Sequence, residues 1–182
     1  MKLYSLLACV IVGVSGTAAS SLVMAQAAKS ENVGAWELRV ISDPITDESR
    51  TIGIIKGGEN ALAIKCDSPG QDSVYVHFIA DEYLGEGRYR NRDLTQRFGD
   101  AVPVTQNWSY DGRGAILTSD RAVDDFSTAL LTADRLALRA TTFEHHQVTA
   151  LFALKSDDTG EVLRRVYAGC SDTLPALTPS VG

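Results

Sequence analysis

Apolar and polar residues alternate with a period of two through most of the chain. In WELRVIS, Trp36, Leu38 and Val40 fall on one face, with Glu37 and Arg39 on the other. TIGIIK and ALAIKC follow, separated by GGEN, whose Gly-Gly pair signals a hairpin. DSPGQD then turns the chain into SVYVHFIA, where Val74, Val76 and Phe78 share one face and Tyr75, His77 and Ile79 the other. Consecutive antiparallel strands are the expected outcome.

The middle of the chain is less regular. EYLGEGRYRNRDLTQRFGD mixes charge, glycine and aromatics, and predicts a short strand from Tyr89 to Asp93 followed by a loop. AVPVTQNWSYDGRGAILTS reads as two strands around the YDGRG turn. AVDDFSTALLTAD has Phe126 and Leu130 at helical spacing and predicts a short helix. RLALRATTF and QVTALFALK form a hairpin with EHH at its tip.

The period changes again in DTGEVLRRVYAGC, where Val162, Leu163, Val166 and Tyr167 share a helical face that ends at Cys170. Asp158 and Glu161 have capping-box spacing, while Gly160 is a weak helix former. Together these patterns predict a mainly β protein, a β-sandwich or curled antiparallel sheet, with a short C-terminal helix docked on it. Residues 28–172 are expected to form a single β-rich domain. The Pro-, Ser- and Thr-rich residues 173–182 are expected to be a disordered tail.

The first residues are of a different kind. Lys2 precedes an apolar run from Leu3 to Val14, and MAQAAK places Ala25 and Ala27 at the two small positions of a signal-peptidase site. This layout predicts a signal peptide over 1–27, cleaved before Ala28, and export to the periplasm or beyond. LLAC also resembles a lipobox ending at Cys9, but only Met1 to Ala8 would precede it, too short for a charged end and a full apolar core. Gly13, Ser15 and Gly16 interrupt the apolar run, so no stable membrane span is expected once the signal is removed.

Charge narrows the partners. The chain carries 17 basic and 23 acidic residues, and loss of Lys2 with the signal takes the formal charge from −6 to −7. That balance disfavours nucleic acid and anionic lipid surfaces.

Cysteine usage says more. Cys66 could be a core thiol, a nucleophile, a metal ligand or half of a disulfide. Cys9 leaves with the signal, so Cys66 and Cys170 remain as an even pair in an oxidising compartment, where a bridge is expected. It would staple the C-terminal helix to the sheet.

No convergent catalytic set emerges. The sequence lacks a G-x-S-x-G elbow, a C-x-x-C pair, a P-loop and a G-x-G-x-x-G helix entry. His145 and His146 are adjacent at a hairpin tip, a spacing that does not converge on one metal, and His77 is expected on the outer sheet face. The acidic stretches DPITDE and SDDTGE do not match a calcium loop and fit turns and helix capping. No metal or cofactor is therefore expected. NWS, Asn107 to Ser109, is a glycosylation-type triplet and a weak signal by itself. RYRNRD is the densest basic stretch and has Tyr83 and Tyr89 nearby, so Arg88, Arg90 and Asp93, with Trp108, are candidates for a partner-binding rim.

Taken in order, WELRVISDPITD, LAIKC, YRNRD, WSYD and ADRLALRA…TALFAL before a helix ending in Cys170 resemble the VasI-like accessory proteins linked to bacterial type VI secretion. The resemblance spans most of Trp36 to Cys170. It implies an exported, non-enzymatic accessory protein that contacts envelope or secretion components. It carries over Trp36, Asp43, Asp47, Arg90 and Asp93, with Cys66 and Cys170 as the bridge, and brings no catalytic residues. The Pro-containing tail departs from the family's pattern after the last cysteine.

The leading expectation is thus an exported periplasmic interaction protein associated with type VI secretion. Two alternatives are a small-molecule or lipid carrier with a pocket in the β-core, and a hydrolase using His145 or His146 with a nearby carboxylate.

Overall fold

The computed structural model describes residues 27–46, 49–68, 71–86, 91–170 and 173–175. Residues 1–26, which hold Cys9 and all but the last residue of the expected signal peptide over 1–27, lie outside the described residues, as do Asp47, Arg88, Arg90 and the last seven residues.

Ten strands form one antiparallel sheet. They are β1 (Ala27–Val33), β2 (Trp36–Ser42), β3 (Ser49–Gly57), β4 (Asn60–Ser68), β5 (Gln71–Ile79), β6 (Asn91–Phe98), β7 (Val104–Asp111), β8 (Gly114–Leu117), β9 (Arg135–Thr141) and β10 (Gln147–Ala153). Helix α1 (Asp120–Thr132) lies between β8 and β9, and α2 (Ser156–Gly169) follows β10. The strand order is β1-β2-β3-β4-β5-β8-β7-β6-β9-β10. Of the two architectures the sequence allows, the molecule is the curled sheet.

The curl has a visible cause. The sheet bends until β10 returns against the end of β3, where a Cβ on Gly57 would lie 2.5 Å from the Leu151 carbonyl oxygen and 2.9 Å from the Phe152 ring. Glycine at this position permits the approach.

Both helices sit in the resulting concavity. Val123, Phe126 and Leu130 of α1 and Val162, Leu163, Val166 and Tyr167 of α2 are buried. They meet the inward row of strand residues, including Leu38, Leu62, Ile64, Val76, Phe78, Leu138 and Phe152, in one continuous core. Helix α2 presses directly on β3, because a Cβ on Gly53 would lie 2.3 Å from Val162 Cγ1.

The bridge between Cys66 and Cys170 is formed, with Cα atoms 5.6 Å apart across a sequence separation of 104. Cys66 is fully buried on β4, and Cys170 is the residue that ends α2. Closing so long a loop stabilises the fold by about 4–5 kcal/mol on the chain-entropy account.

Four details depart from the sequence expectation. The strand expected to end at Asp93 continues to Phe98, where the sequence predicts a loop, and Tyr89 and Arg90 lie outside the described residues. Its inward positions include Gln96 between Leu94 and Phe98, so its apolar alternation is weak. Strand β1 has almost no apolar signal; it is held by its ladder to β2 and by the Glu31–Arg165 ion pair to α2. Helix α2 begins one turn early, at Ser156 after Lys155, with no side-chain cap, so Asp158 stands inside the first turn and the capping box is not made. Finally, Leu174 packs on the core, so the part of 173–182 that is described is anchored at that residue.

Candidate functional site

The basic stretch that drew attention in the sequence organises one end of the sheet, through a residue the sequence did not single out. Arg92 is half-buried at the start of β6, on the inward face beside Tyr110, whose ring centroid is 5.9 Å from its guanidinium carbon. Its Nη1 donates to the carbonyl oxygens of Leu84 (3.2 Å), Thr141 (3.3 Å) and Thr142 (3.1 Å). These carbonyls belong to the β5–β6 connection and to the end of β9, so one guanidinium ties two connections together.

The tie continues along the backbone. The Phe143 amide donates to the Tyr83 carbonyl oxygen at 3.1 Å. The two rings then meet edge to face, with centroids 5.8 Å apart. Both remain half-exposed, at 44% for Tyr83 and 49% for Phe143, which is unusual for side chains held this firmly. Glu82 and Glu144 flank them, and with Thr142 the four enclose a surface depression of about 240 Å³. The Tyr83 hydroxyl is held above its ordinary pKa by partial desolvation, then by Glu86, which also hydrogen-bonds to it, and by Asp111. This rim is acidic and aromatic.

A neighbouring depression of about 290 Å³ is lined by Arg92, Asp93, Thr141 and His145. Asp93 is exposed there, on the outward side of β6. Trp108 is placed differently. It is 1% exposed, inside the core, with its ring 5.8 Å from that of Phe126. It therefore offers no surface to a partner, and its place in the candidate rim is corrected to a packing role. Arg88 and Arg90 lie outside the described residues. Tyr83 and Phe143 are the aromatic side chains exposed at this end of the sheet. The sequence names Tyr83 beside RYRNRD but gives no signal for Phe143, which comes from a distant hairpin.

The histidines occupy three distinct settings. His145 and His146 are both exposed in the β9–β10 turn. His145 has φ of 67°, a left-handed conformation that histidine, like asparagine and aspartate, adopts more readily than most non-glycine residues. The turn is fixed by Thr142, whose amide donates to the His146 carbonyl (2.8 Å) and whose hydroxyl accepts from the His146 amide (3.0 Å). His145 lines the depression it shares with Asp93, while both histidine side chains stay exposed. His77 lies in mid-sheet on the outer face, between Ala63 and Ile116. Burial, then the charge of Lys65, lowers its pKa to about 4, so it is neutral at physiological pH.

The carrier reading calls for space in the β-core, and the concave side is occupied by α1 and α2. Among the described residues, no group of three or more His, Cys, Asp or Glu side chains is placed to hold a metal ion. No helix among them is long and apolar enough to cross a membrane. No protein-family model, curated protein or solved structure matches this chain.

Proposed function

We propose that the chain is an exported, non-enzymatic interaction protein of the periplasm, of the kind implied by its resemblance to VasI-like secretion accessory proteins. In this reading it docks a basic segment of an envelope or secretion-system protein at the rim formed by Tyr83, Phe143, Glu82 and Glu144. The observation that carries the reading is the half-exposed pair of rings, fixed by Arg92 and flanked by carboxylates. Held aromatic side chains give contact area at low entropic cost, and such rings with nearby negative charge suit lysine and arginine side chains. The Cys66–Cys170 bridge supports export, because stable disulfides belong to oxidising compartments.

The test is capture from the periplasm of a producing cell. A benzoyl-phenylalanine crosslinker at Phe143 is expected to trap a discrete partner. Paired Tyr83→Ala and Phe143→Ala changes should weaken recovery by about tenfold or more, as for aromatic contacts at the centre of an interface. Equal capture by wild type and the double variant rejects the rim. Turnover of a substrate by the purified protein rejects the non-enzymatic reading. Intact-mass measurement with and without reductant checks cleavage before Ala28 and the bridge together.

A further inference from the structure

A second surface, further along β6 and β9 from the rim, has the opposite charge. On the outward face of β6, β9 and β10, the ladder sets Thr95, Arg139 and Thr149 in one row and pairs Arg97 with Ala137 and Ala137 with Leu151 in the next. Arg97 and Arg139 are thus diagonal neighbours around the small Ala137. With Pro103 these residues line a groove of about 260 Å³. Leu151 is 69% exposed at its edge, and Val102, next to Pro103 in the chain, is 83% exposed.

Among the described residues, neither arginine meets a carboxylate. Arg97 donates from Nε to the Ala101 carbonyl (3.1 Å), and Arg139 donates from Nε to the Thr149 hydroxyl (3.3 Å). The nearby Asp100 is engaged by Arg135. In a chain of net charge −6, this is an apolar floor flanked by two guanidinium groups that have no acidic partner among the described residues.

The complementary surface is on the same chain. The β2–β3 turn presents Ile45, at 86% the most exposed large apolar side chain among the described residues. Asp43 braces this turn by accepting from the Ile45 amide (2.8 Å) and the Thr46 amide (3.4 Å). The surrounding sequence, DPITDE, is acidic. Ile45 cannot reach the groove of its own molecule. Leu151 lies against Gly57 at one end of β3, and the β2–β3 turn lies beyond Ser49 at the other, roughly 25–30 Å away along a nine-residue strand.

We propose that this groove receives the β2–β3 turn of a second copy of the chain, with Ile45 on Ala137, Pro103 and Leu151 and Asp43 beside Arg97 and Arg139. Plug and socket are different surfaces, so the contact is head-to-tail and repeats until the rotation closes a ring or a filament extends. The excess negative charge of two copies opposes their approach, and the local arginine pair offsets it where plug meets socket. The contact is small and correspondingly weak. The inference stands independently of the rim, which uses other residues.

Sedimentation velocity of the purified, oxidised protein across a concentration series tests it. Association is expected to rise with concentration and to weaken as salt is added. Ile45→Asp, or Arg97→Glu with Arg139→Glu, should each reduce association by about tenfold or more, with melting temperature unchanged. The decisive sample is an equal mixture of the two variants. One keeps only the socket and the other only the plug, so the mixture should form a dimer of one copy of each and nothing larger. A monomer at every concentration overturns the proposal and leaves the rim reading untouched. Oligomers indifferent to both variants overturn it as well. So does a mixture that fails to pair.

Discussion

Helices α1 and α2 lie in the same concavity, yet they are held there in different ways. Helix α2 is close to the sheet. Gly53 leaves room for Val162, the Trp36 indole donates to the Thr159 hydroxyl at 3.2 Å, and Cys170 is bonded to Cys66. Helix α1 is held through long aromatic side chains: the Phe126 ring lies 5.1 Å from Phe98 and 5.8 Å from Trp108, both edge-on. On its side of the sheet, Trp108 Nε1, Gln96 Oε1 and Gln106 Oε1 are buried with no hydrogen-bond partner among the described residues. Two tryptophans of equal burial thus differ in whether the indole N–H is paired. The α2 side has its polar groups satisfied and a covalent lock. The α1 side relies on apolar contact and carries unpaired polar atoms, each of which costs stability. A polar link joins the two helices: the Tyr167 hydroxyl donates to the Asp124 carboxylate (3.1 Å) and shares a hydrogen bond with Ser127 (3.0 Å).

The contrast can be broken most strongly at the bridge. Replacing both Cys66 and Cys170 with serine is expected to cost about 4–5 kcal/mol, a fall in melting temperature of roughly 10–20 °C for a chain of this size. Hydrogen exchange should then show α2 opening as readily as α1. If α2 stays the better protected helix, the lock is not what distinguishes them. Next comes Gly53→Ala, expected to cost about 1–3 kcal/mol by forcing Val162 off the sheet. Adding Val162→Ala should recover part of that loss, whereas strictly additive effects would place the strain elsewhere.

The tryptophans sharpen the comparison. Trp36→Phe strands the buried Thr159 hydroxyl, while Trp108→Phe removes an N–H that has no partner. Denaturant unfolding should find the first more costly by about 1–2 kcal/mol; equal costs would mean Trp108 is satisfied by water.

The smallest effect is expected outside both helix interfaces, at His77. Its folded pKa of about 4 lies below the ordinary 6.5 because burial disfavours the charged ring. The unfolded chain therefore takes up a proton first, and stability falls as pH drops from about 6.5 toward 4 and then levels off. That is on the order of 1–2 kcal/mol for a side chain that keeps some solvent contact. His77→Phe should remove this part of the slope, and an unchanged pH profile would assign it to other groups.

Much of the framework is legible in the alternation of residues. The faces of β2, β4 and β5, the β9–β10 hairpin with its histidine tip, the Phe126–Leu130 helix and the face of α2 all follow from it, because burying one side of an element imposes its period directly on the sequence. Strand β6 is harder to read, because Gln96 takes an inward position normally given to an apolar residue. Strand β1 is harder still, because an edge strand is held by backbone pairing that leaves little trace in its side chains. The candidate rim was half legible. RYRNRD, with Tyr83 beside it, draws attention to this end of the sheet, and nothing in it points to Phe143. That Arg92 turns inward, and that Tyr83 meets Phe143, depends on two connections being tied together.

The sequence alone determines the alternation that makes a β-rich chain, the two helical faces, and the pair of cysteines, Cys66 and Cys170, that follows the N-terminal apolar run. Each is a local or compositional property, fixed by spacing and residue type. Only the tertiary structure decides that the sheet curls rather than splits in two, since that turns on Gly57 admitting β10 against β3. It also decides which tryptophan finds a partner for its N–H, and which exposed side chains share a surface. These outcomes rest on contacts between distant segments, whose energies depend on geometry that no single stretch of sequence encodes.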